Sequence, residues 1–527
     1  MADENSSAPA EEVTGKRPAI RRPWLLLGGA LVIGFVGIAL LFGQPPGVGY
    51  ALAALFAAVI WVALGFALGI RPSLTGLVLI ALILFYSAMV AVRAAPALLV
   101  LNVFMGIGLA LLMAAIYLPG RLARMSLTDY AIALVLSGLA LVYQPFLLVF
   151  SDLPRVERRP GKRRRLAPVL WGVALAVPLL LVFGALFAAA DAVYANFLRG
   201  MFTWIQDYPQ LLARLVLSLI LSWLALGLAR RAFTARKNPP ELEDYVNLNF
   251  LHLGAPTAIT ALALVDLLFL GFVLVQAVYL FGGSDTLART GLTYSDYARR
   301  GFFELVTVAA LVLGLILLLD WLTRFVAGRG RRIINLLHGG LVALTLVILV
   351  SALFRMRLYQ QEFGLTELRF YTTAFMVWLG IVLVWLAVTV LRVRAPAGNN
   401  PGRRRFAFGA LVAGLALVVA LDLINPDALI AHTNLTRAAA GVGQPLDAEY
   451  LAWTLSADAV PASVSGLAAV ADPAVQAKLA CGLQVQAEIL TDRAARTNWR
   501  GANWGVGAAS RALAGVDLAK YAVKCPE

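Results

Sequence analysis

The chain has 527 residues, 61% of them hydrophobic and 14% charged, with 44 Lys and Arg against 29 Asp and Glu and a mean hydropathy of +0.82. A water-soluble domain is nearer half apolar and a quarter charged, so this composition excludes a soluble globular chain, and also a disordered, collagen-like or disulfide-dense secreted one. Lipid is the solvent that suits such a surface, and at roughly 20 apolar residues per spanning helix there is room for about a dozen spans.

Residues 1–23 are small, polar and mixed in charge and read as a disordered tail. The apolar run after Arg22 is followed by Gly43-Gln44-Pro45-Pro46 rather than a small-residue cleavage site, so it reads as a retained first span and not a signal peptide. Further apolar stretches lie near 51–70, 74–92, 97–118, 128–150, 168–190, 211–229, 257–281, 302–323, 333–354, 371–391 and 406–424. Each is long enough to cross about 30 Å of hydrocarbon at 1.5 Å per residue. Their continuous apolar character predicts helices rather than barrel strands. From 425 to 527 the apolar runs shorten and soluble-type helix signals appear, such as Asp472 as N-cap before Pro473.

The charge is concentrated. Twenty of the 44 cations sit in four short stretches: seven in Arg155–Arg165, four in Arg230–Lys237, four in Arg324–Arg332 and five in Arg392–Arg405. Basic turns between apolar runs follow the positive-inside rule and face anionic lipid, which argues against nucleic acid as the partner. Counting in the second half places residues 425–527 outside the cell. Twelve spans would then put the N-terminus outside as well, against the preference of Lys16, Arg17, Arg21 and Arg22 for the cytoplasm. Either one early span is miscounted or the later charges dominate. The expected architecture is all-α: a polytopic transmembrane helix bundle of about 12 spans over 24–424, with a small C-terminal α-helical extracytoplasmic domain over 425–527 in a multi-pass cell-membrane protein.

Ionisable groups in hydrocarbon need a partner or a purpose. Asp266 lies near the middle of its span with Gln276 further along, and the pair is the candidate for proton or cation coupling. Glu304 and Asp320 have cations one turn away, Arg300 and Arg324, for pairing at span ends. Asn102 and Gln144 suit interhelical hydrogen bonds. Cys481 and Cys525 could close a loop of about 45 residues, worth about 3–4 kcal/mol on the oxidising side, or remain unpaired. No GxxxxGK[ST], HExxH, CxxC or GxSxG motif occurs, and His252, His338 and His432 share no ligand spacing. No enzyme activity, metal or cofactor is expected on that ground.

Several strings carry a resemblance: Tyr294-Ser295-Asp296-Tyr297-Ala298-Arg299-Arg300-Gly301-Phe302-Phe303-Glu304-Leu305, Phe363-Gly364-Leu365-Thr366-Glu367-Leu368-Arg369-Phe370-Tyr371, Val275 to Gly283, and Asp447 to Leu451 with Leu455 to Pro461. Over roughly residues 165–515 the chain resembles the bacterial polytopic membrane family called domain of unknown function 4173, related to 4153. The resemblance implies a multispanning protein with a C-terminal extramembrane segment and no assigned activity. On the charge-derived topology, Asp296, Arg299, Arg300, Glu304, Glu367, Arg369 and Asp458 fall on the outer side as a candidate charge cluster that docks the terminal domain through Arg–carboxylate pairs. The functional expectation is an envelope interaction or sensing scaffold. The alternative is a secondary transporter that uses Asp266.

Overall fold

The structure is a computed structural model. It describes residues 22–117, 122–152, 186–201, 208–234, 252–281, 302–391 and 401–521, with the isolated positions 176, 180, 183 and 184. Asp296, Arg299, Arg300 and Cys525, the tail before Arg22, and most of the span expected at 168–190 lie outside the described residues.

Continuous apolar sequence makes helices, and the described residues form them almost throughout, without strands. In chain order they are α1 (Pro23–Leu41), α2 (Val48–Ala67), α3 (Leu74–Val92), α4 (Pro96–Ile116), α5 (Leu127–Leu147, continued by a wide turn over Leu148–Asp152), α6 (Ala192–Met201), α7 (Pro209–Phe233), α8 (Ala255–Phe281), α9 (Phe302–Leu322), α10 (Gly328–Phe363), α11 (Glu367–Leu386) and α12 (Pro401–Ile424). The terminal segment adds α13 (Pro426–Ala439), α14 (Val460–Gly466), α15 (Pro473–Arg496) and α16 (Trp504–Ala514). Among the described residues, eleven helices are long and apolar enough to cross a membrane. Large side chains such as Phe104, Val135, Leu267, Leu268, Leu311 and Leu336 are exposed on them. Apolar surface of that extent is stable only against lipid.

Two cores hold the bundle. One gathers α1–α5 and α7 around Trp61, Tyr86, Tyr117 and Phe233, and the other gathers α8–α12 around Ile316, Leu341, Leu349 and Leu383. Helix α12 joins them, with Ala407 in the first and Phe406 in the second. A third core, around Ile430, Leu451, Leu479 and Leu483, belongs to the terminal helices. There Asp472 caps α15 by accepting from the Ala474 amide at 2.8 Å.

The terminal helices touch the last turn of α1, the α3–α4 turn and the α10–α11 turn, and follow the end of α12. The Val48 amide donates to the Ala502 carbonyl (2.9 Å), the Ala94 amide to Asp458 (2.8 Å) and the Leu365 amide to Asn434 (2.7 Å). The ends of α1 and α10 therefore share one end of the bundle, which twelve crossings in strict alternation would forbid. Tyr117, just past α4, packs edge-on against Phe233 at 5.2 Å. Asp152, at the far side of α5, pairs with Arg230 at 2.9 Å, one turn from Phe233 in α7. Tyr117 and Asp152, on either side of α5, thus both meet the C-terminal end of α7. Helix α1 starts at the end opposite the terminal helices, since its last turn accepts from Arg500.

Helix α10 is the longest, at 36 residues or about 54 Å, against the 22 residues of 333–354 expected from apolar sequence alone. Its polar last turns, through Gln360 and Glu362, reach the terminal helices: the Glu362 carbonyl accepts from the Gln444 amide at 2.8 Å.

Candidate functional site: the buried junction of bundle and terminal helices

Helix α12 ends at Asn425, which takes a left-handed backbone (φ +56°) of the kind asparagine tolerates. The break turns the chain into α13 and points Asp422 and Asp427 inward from either side, both fully buried. Asp422 accepts from the Asn102 amide group at 2.9 Å, and its backbone carbonyl accepts from Arg93 Nε at 2.6 Å. Asp427 accepts from the Ser456 amide at 3.0 Å. Asp458 Oδ2 accepts from the amides of Ala94 (2.8 Å) and Ala95 (3.2 Å), which precede α4 and have no helical partners of their own. Gly505 is required opposite it, because a Cβ there would collide with Asp458 Oδ1.

Tyr371 lies within electrostatic reach of Asp422, Asp427, Asp458 and Glu367, and the Glu367 and Asp427 carboxyls adjoin. Arg93 is the cation that acts on both Asp422 and Asp458. Burial pushes the Asp458 carboxyl above its ordinary range, while the Ala94 and Ala95 hydrogen bonds pull the other way. Among the described residues no group of three or more His, Cys, Asp or Glu has the arrangement to hold a metal ion.

The expected charge cluster is assembled only in part. Glu367 and Asp458 converge, joined by Asp422 and Asp427, which the sequence analysis did not include. Arg369 donates to the Phe363 (3.1 Å) and Gly364 (2.7 Å) carbonyls and stacks on Tyr359 at 4.2 Å, capping α10, and its charge acts on Tyr450 and Arg437 of the terminal segment. Glu304 is exposed in the first turn of α9. Among the described residues docking uses no ion pair across the junction, while Arg299 and Arg300 lie outside them. Side-chain to backbone hydrogen bonds carry it. Asn434 clasps Leu365 in both directions (2.7 and 2.8 Å), Tyr450 accepts from the Glu367 amide (2.7 Å) and Arg437 donates to the Glu362 carbonyl (3.1 Å). Backbone groups at helix ends are unsatisfied by default, so they serve as ready sockets.

A second polar feature lies between α8 and α10. These helices run side by side in one direction, since Ala255 abuts Gly330 and the Asp266 carboxylate lies 3.4 Å from the position a Cβ would take on Gly340. Asp266 is half-buried with one oxygen lacking a partner, as do buried Gln276, His338 and Ser351. By this register Gln276 falls level with Ser351, so it shares the seam with Asp266 but sits about 15 Å along it. The two candidate coupling residues are not one site.

At the opposite end of the bundle Asp320 is taken not by Arg324 alone, as expected, but by residues distant in sequence. Its carboxylate accepts from Arg331 and from Arg403 Nε (2.5 Å), and its carbonyl from Arg403 Nη2 (2.6 Å). Asn102 and Gln144 do bridge helices, Gln144 by accepting from Arg230. Cys481 is disulfide-bonded; the chain's other cysteine is Cys525.

Apolar helices with lipid-suited exteriors define a polytopic α-helical integral membrane protein. The family described as "domain of unknown function (DUF4153)" matches residues 74–466, well over half the chain, and the protein belongs to it. The match is to 4153 and does not confirm the resemblance to the related 4173; it starts at α3, so it takes in early helices that the resembling strings left out. No curated protein and no solved structure matches the chain.

Proposed function

We propose that the protein is a scaffold of the bacterial cell membrane whose terminal helical domain faces outward and serves as an interaction or sensing surface. The observation that carries this reading is the junction itself: Ala502, Asp458 and Asn434 of the terminal segment accept from the Val48, Ala94 and Leu365 amides and seat it at three places on the bundle. Two further features support the orientation. The disulfide of Cys481 suits an oxidising compartment. Arg22, Arg71, Arg230, Arg324, Arg329, Arg332 and Arg403–Arg405 lie at the opposite end, where the positive-inside rule and anionic headgroups want them. A photo-crosslinking residue at Ile489, exposed on α15, is expected to capture an envelope component in intact cells. Capture of cytosolic protein, or of nothing, would overturn the reading.

The transporter reading retains one specific support, the unpartnered Asp266 oxygen in the α8–α10 seam. On that reading Asp266→Asn abolishes proton- or cation-gradient dissipation in proteoliposomes without altering thermal stability. Equal dissipation by both proteins would remove it.

A further inference from the structure

The interfacial anchors of a membrane protein usually sit at the ends of its own spans, yet here two of the most exposed aromatics belong to the terminal helices. Trp499 is 60% and Trp504 70% exposed. Their depth is fixed by their neighbours. Arg500 donates to the carbonyl of Ala39, which lies inside α1, two residues before its end. The Asn498 amide donates to Gln44 at 2.8 Å. Asn503 donates to the carbonyls of Val90 (3.2 Å) and Arg93 (2.9 Å), in and just after the last turn of α3. The segment 498–504 is therefore held at or below the level where two spans leave the hydrocarbon.

Trp504 opens α16, and Arg511, two turns on, stacks over its ring at 5.7 Å. The face holding both looks away from the terminal core, in which α16 buries Ala509 and Leu513 instead. An indole with a guanidinium above it is the pairing that interfacial lipid receives: the ring settles among glycerol and upper acyl carbons, and the cation reaches headgroup phosphate.

We propose that Trp499, Trp504 and Arg511 form a foot by which the terminal domain rests in the headgroup layer of the bilayer its own helices span. The occupant is interfacial lipid, because the hydrogen bonds to Ala39 and Val90 hold the segment carrying the foot beside the ends of two apolar spans. The inference is independent of which side of the membrane the domain occupies and of any partner at Ile489.

The test uses the full chain in phosphatidylcholine–phosphatidylglycerol nanodiscs, with a nitroxide attached in Trp504→Cys and, as reference, in Ile489→Cys. Power saturation should give a positive depth parameter at 504, with oxygen more accessible than a water-soluble nickel complex, and a negative one at 489. A negative value at 504 marks a solvated face, and exclusion of both reagents marks a protein contact; either overturns the proposal. Should the cysteine variant fail to fold, brominated lipid provides a second measure. The quenched fraction of tryptophan emission should fall in the Trp499→Phe/Trp504→Phe protein relative to the native one, and an unchanged fraction overturns the proposal equally.

Discussion

Replacing Asp458 by alanine is expected to release the terminal domain from the bundle. The substitution strips the acceptor from the amides of half-buried Ala94 and fully buried Ala95. Unsatisfied buried donors cost about 1–3 kcal/mol each, so the loss of both should weaken docking by about 2–6 kcal/mol. Limited proteolysis in detergent reads this directly, as faster cleavage in the segment after α12. Asp458→Asn keeps an acceptor oxygen and should retain most of the protection. The same variant isolates a pH effect. Burial raises the folded Asp458 above its unfolded value, so its contribution to docking is complete below the ordinary carboxylate range and declines as pH rises through the folded value. The native domain should therefore grip more tightly in acid, and Asp458→Asn should lose that dependence. Protection that is equal in the native and alanine proteins would show that Asp458 does not hold the domain.

Removing Asp320 should do comparable damage at the opposite end. Its carboxylate is almost fully buried between Arg331 and Arg403 and ties α9, α10 and α12 together. Asp320→Ala leaves two guanidinium groups facing each other without a counter-ion, and breaking a buried pair from one side costs about 3–5 kcal/mol. Thermal unfolding in detergent should shift downward accordingly. The double variant Asp320→Ala/Arg403→Ala should lose less than the two single losses combined, since the second change removes a charge that the first had stranded. Additive losses would mean that the two residues act separately.

Much of the helical layout was legible because hydrocarbon imposes a length and an apolar requirement that sequence displays openly. The long runs at 24–42, 74–92 and 257–281 lie close to α1, α3 and α8. What was not legible came from tertiary contact. The meeting of Asp152 with Arg230, 78 residues apart, is one such contact. Asp422 is bonded to Asn102, 320 residues away, a pairing that no local pattern announces. Arg369 looked available for a carboxylate because the α10 carbonyls that occupy it become acceptors only once the helix ends at Gly364. One signal was present and unused: Asn425-Pro426-Asp427 right after an apolar run marks a helix break with an acid on each flank.

The length of α10 bears on how the two ends of the molecule know of each other. The helix is rooted at Arg331 in the Asp320 cluster and surfaces at Glu362 beneath the terminal helices, with no proline between. A continuous rod of that kind behaves as a lever. Tilting it by about 5° around the lower root would sweep its upper end sideways by about 4 Å, so a modest rearrangement of the arginines at one membrane face would be felt beneath the terminal helices at the other.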